Sequence, residues 1–240
     1  AKLMSGLDLI SDYCENLFYE NKDSKKLLVF LPSVNGRGDY PYYPRISWGR
    51  ELAKKYNVLY LSDPYQNNSL YETPMGSWFI SPQGKSTIKE IADKVNLLVN
   101  RFEIEQVVFY GSSMGGYAAL MISALVENSN AIAECPQLYL IKHPGSRYVC
   151  QEILDKNIDL SLIEPLSQLK NGRQGLQRII CSVFDAHYKQ HIIPFLEDIR
   201  NQELDINLSI SLYSNQNYSK GHVALNKKDA FSEIEMIMGF

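Results

Sequence analysis

Val107-Val108-Phe109-Tyr110-Gly111-Ser112-Ser113-Met114-Gly115-Gly116-Tyr117-Ala118-Ala119-Leu120 is an apolar run that stops at a turn of small residues and restarts as a helix-forming segment. Residues 107–110 are β-branched and aromatic, the composition of a strand buried on both faces, whereas 117–125 are rich in Ala, Leu and Met, which favour helix. Between them stands Gly111-x-Ser113-x-Gly115. A strand that turns at once into a helix forces the residue at the turn into a strained backbone conformation, tolerable only where its neighbours lack bulky side chains. The spacing predicts that Ser113 projects its hydroxyl from this turn, with the free N–H groups of a helix N-terminus behind it. Ser113 is the candidate nucleophile in preference to Ser112, because the flanking glycines are in register with Ser113. A glycine-rich turn that packs closely or binds a phosphate is the competing reading of the same residues.

Working outward, residues 16–19 and 26–31 read as a strand and a buried strand, joined by the polar turn 21–24 into a hairpin, with a short helix before them at 3–13. A helix is expected over 47–56 with Trp48, Leu52 and Ala53 on one face, then a buried strand at 57–61 and a loop at 65–85. Thr87-x-x-Glu90 has the form of a capping box, and Ile88, Ile91, Ala92, Val95, Leu98, Val99 and Phe102 follow it at helical spacing. Beyond the elbow come a short strand at 131–135, an irregular or helical excursion at 137–175, and a strand at 178–184 that ends at Asp185. A helix at 189–202, a half-exposed strand at 206–212 near a sheet edge and a terminal amphipathic helix complete the chain. Strands alternating with helices predict an α/β fold, a mainly parallel sheet with helices on both faces. The 240 residues suit a single domain spanning 1–240, with 137–175 as a small lid insertion.

Twenty-four basic against 27 acidic residues give a net charge of −3, which supplies no field for nucleic acid or an anionic membrane. No apolar run reaches spanning length and no secretory pattern is present, so a cytoplasmic location is expected. Cys14, Cys135, Cys150 and Cys181 are scattered without ligand spacing and read as reduced thiols. No nucleotide or metal motif is found. A homo-oligomer is compatible with the sequence, which does not fix the oligomeric state.

Ligands of parallel sheets bind at the carboxyl ends of the strands, and that rule isolates the 32–39 loop, Asp63, Ser113, Asp185 and His222. A serine hydroxyl needs a base to take its proton and a carboxylate to hold that base in one tautomer. His222, after a glycine in the loop following the last strand, is the candidate base, and Asp185 the candidate acid. Asp63 or an acid within 155–164 would replace Asp185. The order Ser113, Asp185, His222 is nucleophile, acid, base. An oxyanion hole would use the N–H of Met114 and that of Ser33 or Val34, since Pro32 has none to give. Tyr40, Tyr42 and Tyr43 suit stacking on a sugar or ordinary half-buried packing, and His143, before a Pro-Gly turn, reads as a plain loop residue or as one that lines the lid. His187 and His191 lie four apart, a spacing that could ligate a metal, but without a third ligand they are expected in solvent on the following helix.

Through Gly111-Ser112-Ser113-Met114-Gly115-Gly116, Asp185 and Gly221-His222 the chain resembles the α/β-hydrolase superfamily over most of its length. Through Gly111-Ser112-Ser113-x-Gly115-Gly116, Cys135-Pro136-Gln137, the Asp185 segment and Lys220-Gly221-His222 it also resembles the branch that modifies bacterial surface polysaccharides, capsule O-acetyltransferases among them. That resemblance implies an acyl-serine intermediate whose acetyl group, drawn from acetyl-CoA, passes to a sugar hydroxyl, with no resident cofactor. The 32–39 loop lacks the His-Gly pattern of many lipases, so the resemblance does not extend to lipase substrates. Two functions stay open at this point. One is serine acyl-ester chemistry, esterase or O-acyltransferase, on a small-molecule or glycan ester; the other is a non-catalytic hydrolase-like module that binds a glycan or a biosynthetic partner.

Overall fold

The structure, a computed structural model, describes residues 2–4, 6–35, 39–66, 76–171, 175–214, 221–222 and 224–239. Along the chain run β1 (Lys2–Met4), α1 (Asp8–Ser11), β2 (Asn16–Glu20), β3 (Lys26–Phe30), α2 (Gly49–Leu52), β4 (Asn57–Leu61), α3 (Ile88–Arg101), β5 (Gln106–Ser112) and α4 (Met114–Ser123). These are followed by β6 (Ser129–Glu134), α5 (Pro144–Tyr148), α6 (Pro165–Leu169), β7 (Gln177–Ser182), α7 (Ile193–Asn201), β8 (Leu208–Tyr213) and α8 (Lys227–Met238). The strands form an eight-stranded sheet in the order β1-β2-β4-β3-β5-β6-β7-β8. Every pairing from β4 to β8 is parallel, and β2 runs antiparallel to both of its neighbours.

The expected hairpin of the first two strong strands does not form, because β2 pairs with β4, Asn16 opposite Leu61, and β4 lies between β2 and β3. The polar turn is long enough to cross over β4, whose first residue holds it. Asn57 Oδ1 accepts from Asn21 N at 2.8 Å, and Asn57 Nδ2 donates to Ser24 O at 2.9 Å. The predicted helix over 3–13 is instead the edge strand β1 and the single turn of α1.

Successive strand residues point to opposite faces, and both faces here are apolar. Val29, Leu59, Phe109, Ala133 and Ile179 pack with α1, α3, α4, α6 and α7 on one side of the sheet. Leu28, Phe30, Val58, Tyr60, Val108, Tyr110, Ile132 and Ile180 pack with α2 and α8 on the other. The predicted α3 is present with its apolar stripe buried, although the capping box is not made. Thr87 Oγ1 donates to Phe79 O at 3.0 Å, which ties the helix start to the preceding loop.

The strand next to the β8 edge carries a buried cation. Arg178 bonds Glu233 of α8 through Nε at 2.6 Å and Nη2 at 3.0 Å, and donates to Ser209 and Ser211 of β8 at 2.8 Å each. Cys14, Cys135 and Cys181 are buried, Cys150 is half-buried, and all four are free thiols. No helix among the described residues is long and apolar enough to cross a membrane.

Candidate active site

At the centre of the sheet β5 ends at Ser112, α4 begins at Met114, and Ser113 between them sits at φ 56°, ψ −115°. A non-glycine residue held there costs about 1–3 kcal/mol and persists only when its surroundings enforce it. They do so through the glycines. A Cβ on Gly111 would lie 2.3 Å from the carbonyl of Gly115, one on Gly115 2.8 Å from Leu31 O, and one on Gly116 3.0 Å from Pro136. Backbone thus touches backbone on the inner side of the turn, and Ser113 N donates to Glu134 O at 2.9 Å. Gly111→Ala is therefore expected to destabilise by about 3 kcal/mol or more, since overpacking against backbone has no side chain to yield. Thermal unfolding would show it as a melting temperature lower by about 6–12 °C, at about 2–4 °C per kcal/mol for a chain of this size.

Asp185 stands three residues beyond β7 and is buried. Its Oδ1 accepts from His187 N at 2.8 Å and lies 2.9 Å from His187 Nδ1, while its Oδ2 lies 2.7 Å from His222 Nδ1. Burial works to raise the Asp185 carboxyl, but the hydrogen bonds from His187 and His222 outweigh it and hold the group well below the usual carboxylate range. Gly221, at φ 89°, turns the chain so that the next residue, His222, reaches this carboxylate while 43% of its side chain stays in solvent.

All four histidines of the chain cluster around His187. The His187 ring centroid is 5.9 Å from that of His143, 4.8 Å from His191 and 4.4 Å from His222. The expectation that His187 and His191 face solvent is wrong; both are buried. Each ring is partnered at Nδ1, while the buried Nε2 of both has no hydrogen-bond partner among the described residues: His187 Nδ1 faces the Asp185 carboxylate, and His191 Nδ1 accepts from the N–H groups of Leu138 and Tyr139 at 3.0 and 3.2 Å. That leaves its proton on Nε2. Burial, reinforced by the neighbouring imidazoles, lowers His191 from 6.5 to about 3 and His143 to about 4. A folded-state value below the unfolded one means that the unfolded chain takes the proton first as the pH falls. Stability is thus full above about pH 6.5 and declines towards pH 3, with the unfolded value near 6.5. His191→Asn, which keeps an acceptor for the two N–H groups, is expected to make the fall of the urea midpoint between about pH 6.5 and 4 shallower.

The alternative acids are committed elsewhere. Asp63 accepts from Ser77 N at 2.7 Å, from the Ser77 hydroxyl and from Tyr65 N at 3.2 Å, organising the loop after β4. Asp155 and Asp159 accept from backbone N–H groups two residues on, and Glu164 accepts from Ser167 Oγ. The 32–35 loop runs beside the elbow: a Cβ on Gly76 would meet both Met114 Sδ and a Val34 methyl, and Ser33 O accepts from Gln66 Nε2 at 2.9 Å. Residues 36–38 and Lys220 lie outside the described residues. The Tyr40 hydroxyl donates to Asn35 O, Tyr43 packs edge-on against Tyr60, and Tyr42 is half-buried. His143 caps α5 through its Nδ1 and lies 5.7 Å, ring to ring, from Trp78.

Two residues with no role assigned from sequence stand at Ser113, Gln137 directly and Trp78 through Gln137. Gln137 Nε2 is 3.3 Å from Ser113 Oγ, and Gln137 Oε1 accepts from the Trp78 indole N–H. Trp78 lies in a stretch without periodicity, and Gln137 was legible only as part of a resemblance.

No protein-family model and no curated protein matches the chain in sequence. Solved structures do match in shape. A capsule O-acetyltransferase of Neisseria meningitidis serogroup A superposes with TM-score 0.68 at 16% identity, over 95% of this chain and 92% of that one. A histidine-to-alanine variant of the same enzyme was solved in complex with CoA. An S-formylglutathione hydrolase from Agrobacterium tumefaciens gives 0.66 at 15% identity over 98% and 90%, and esterase B from Lactobacillus rhamnosis 0.67 at 14% over 99% and 84%. The chain has the α/β-hydrolase fold.

In that α/β-hydrolase fold Ser113, Asp185 and His222 all follow the carboxyl ends of strands or the loop after β8. Among the described residues, metal-binding donors come together at Cys135, Asp185 and His222, within 4.8 Å of one another. Within this trio His222 and Asp185 are already joined by their 2.7 Å hydrogen bond.

Proposed function

We propose that the chain is a serine-dependent acyl-ester enzyme. Ser113 attacks an ester or thioester carbonyl, His222 takes its proton through Nε2, and Asp185 holds His222 with its proton on Nδ1. The N–H of Met114, at the start of α4, and that of Ser33 or Val34 receive the oxyanion. The acyl-serine is then released to water or to an acceptor hydroxyl, so esterase and O-acyltransferase share every part. A carbohydrate-linked O-acyl ester is the proposed substrate class, with acetyl-CoA the donor if the reaction is a transfer. Tyr40, Tyr42, Tyr43 and His143 are the proposed substrate contacts, and 137–175 the proposed lid.

The observation that carries this reading is the pair of residues 37 positions apart, Asp185 and His222, brought to 2.7 Å beyond the same sheet end as the strained Ser113. The test is intact mass after exposure to a fluorophosphonate. A single adduct on the wild type that is lost in Ser113→Ala supports the nucleophile; a well-folded wild type that takes no label leaves the binding module as the better reading.

A further inference from the structure

Gln137 follows β6 at its carboxyl end and is completely buried. An indole N–H can only donate, so the bond from Trp78 fixes the orientation of the Gln137 amide. Its oxygen faces Trp78, and its NH2 group therefore faces Ser113 Oγ at 3.3 Å. The backbone repeats the connection, Gln137 N donating to Ser113 O at 3.4 Å. Trp78 is itself confined: it is 2% exposed, it has φ 51°, and a Cβ on Gly145 would stand 3.0 Å from its ring. The result is a neutral donor, rigidly aimed at the hydroxyl oxygen of the serine. An oxyanion hole aims instead at the former carbonyl oxygen, so this contact serves a different atom.

We propose that Gln137 is a catalytic residue whose side-chain amide stabilises negative charge on Ser113 Oγ, and that Trp78 is the positioning residue that aims it. The inference rests on Ser113 being the nucleophile. During attack the Ser113 proton passes to His222, the Oγ–carbonyl bond forms, and the carbonyl π pair moves onto its oxygen; collapse expels the first alcohol or thiol with the proton from His222. In release, water or an acceptor hydroxyl gives its proton to His222 and adds to the acyl carbon. The Oγ–carbon bond then breaks, and Oγ takes its electron pair and the His222 proton. Oγ gains charge as nucleophile in the first half and as leaving group in the second, so one donor there assists both. A bond of 3.3 Å at rest shortens as that charge develops.

Gln137→Glu is nearly isosteric and still accepts from Trp78, but as a carboxylate it presents an acceptor to Oγ. With p-nitrophenyl acetate as probe, both the acylation burst and the steady-state release are expected to fall about 100-fold or more near neutral pH, as for loss of one transition-state donor. Acidification protonates the introduced carboxyl and restores a donor, so the deficit relative to wild type should shrink as the pH falls. Trp78→Phe frees the amide to turn and should lower kcat about tenfold with KM unchanged, a smaller share of the same donor loss. Burst and release rates within threefold of wild type in a folded Gln137→Glu would overturn the proposal. If that variant does not fold, an unchanged kcat in Trp78→Phe overturns it instead. Failure of the nucleophile itself is read separately: turnover that survives in Ser113→Ala removes the premise and the role of Gln137 with it.

Discussion

Replacing Asp185 by Asn is expected to lower kcat on an activated ester about 10⁴-fold, the order of loss when the carboxylate behind a catalytic histidine becomes an amide. The carboxylate accepts from His187 through both its backbone N–H and its ring, and from His222 through the ring. An amide has a single acceptor oxygen, so either His187 or His222 would face an NH2 group. If it is His222, Nδ1 must become the acceptor and the proton moves to Nε2, where the base has to be vacant. KM should change little, because the interaction matters only when the imidazole is protonated. Kinetics well below the melting temperature would separate this from a stability loss. A kcat within tenfold of wild type would remove Asp185 from the mechanism and leave it as the anchor of the histidine cluster.

The second large effect is on stability. Arg45 and Glu134 form an ion pair in which only 12% and 1% of the side chains are exposed. The guanidinium lies 5.0 Å from the Trp48 ring centroid and 4.9 Å from that of Tyr110, whose hydroxyl donates to the same carboxylate. Burial raises the Glu134 carboxyl, with Arg45 as the main opposing influence. Arg45→Met should therefore cost about 3–5 kcal/mol, because it leaves a buried carboxylate without its cation. At about 2–4 °C per kcal/mol the melting temperature should drop by about 6–20 °C. Adding Glu134→Gln removes the stranded charge, and the double variant should recover part of the loss. A double variant no more stable than Arg45→Met would mean that the arginine contributes through its ring contacts and not through its charge.

What the sequence disclosed and what it withheld divide along physical lines. The elbow was legible because its cause is local: Gly111, Gly115 and Gly116 are required by contacts made within a few residues or with the adjacent strands. The sheet interior was legible because both faces of β3, β4 and β5 are apolar, which produces unbroken hydrophobic runs. Strand pairing was not, since nothing in residues 16–31 says that β4 will come between β2 and β3. Polar residues mid-helix were read as exposed, and His191 escaped that rule through two backbone N–H groups from a segment over fifty residues away. Trp78 lacked any signal, because its contribution is one indole proton aimed at a side chain 59 positions further on.

Arg178 has a consequence for how the sheet closes. Ser209 and Ser211 meet its guanidinium only in the observed register, in which Arg178 stands opposite Ser209. A slip of one residue would turn Leu208, Ile210 and Leu212 towards the cation and the serines away from it. Misaligned docking of the last strand during folding, or insertion of an apolar strand from another molecule in its place, would leave the charge with Glu233 alone and its remaining donors unanswered. The guanidinium thus acts as a spelling check on its neighbour, admitting β8 in one alignment.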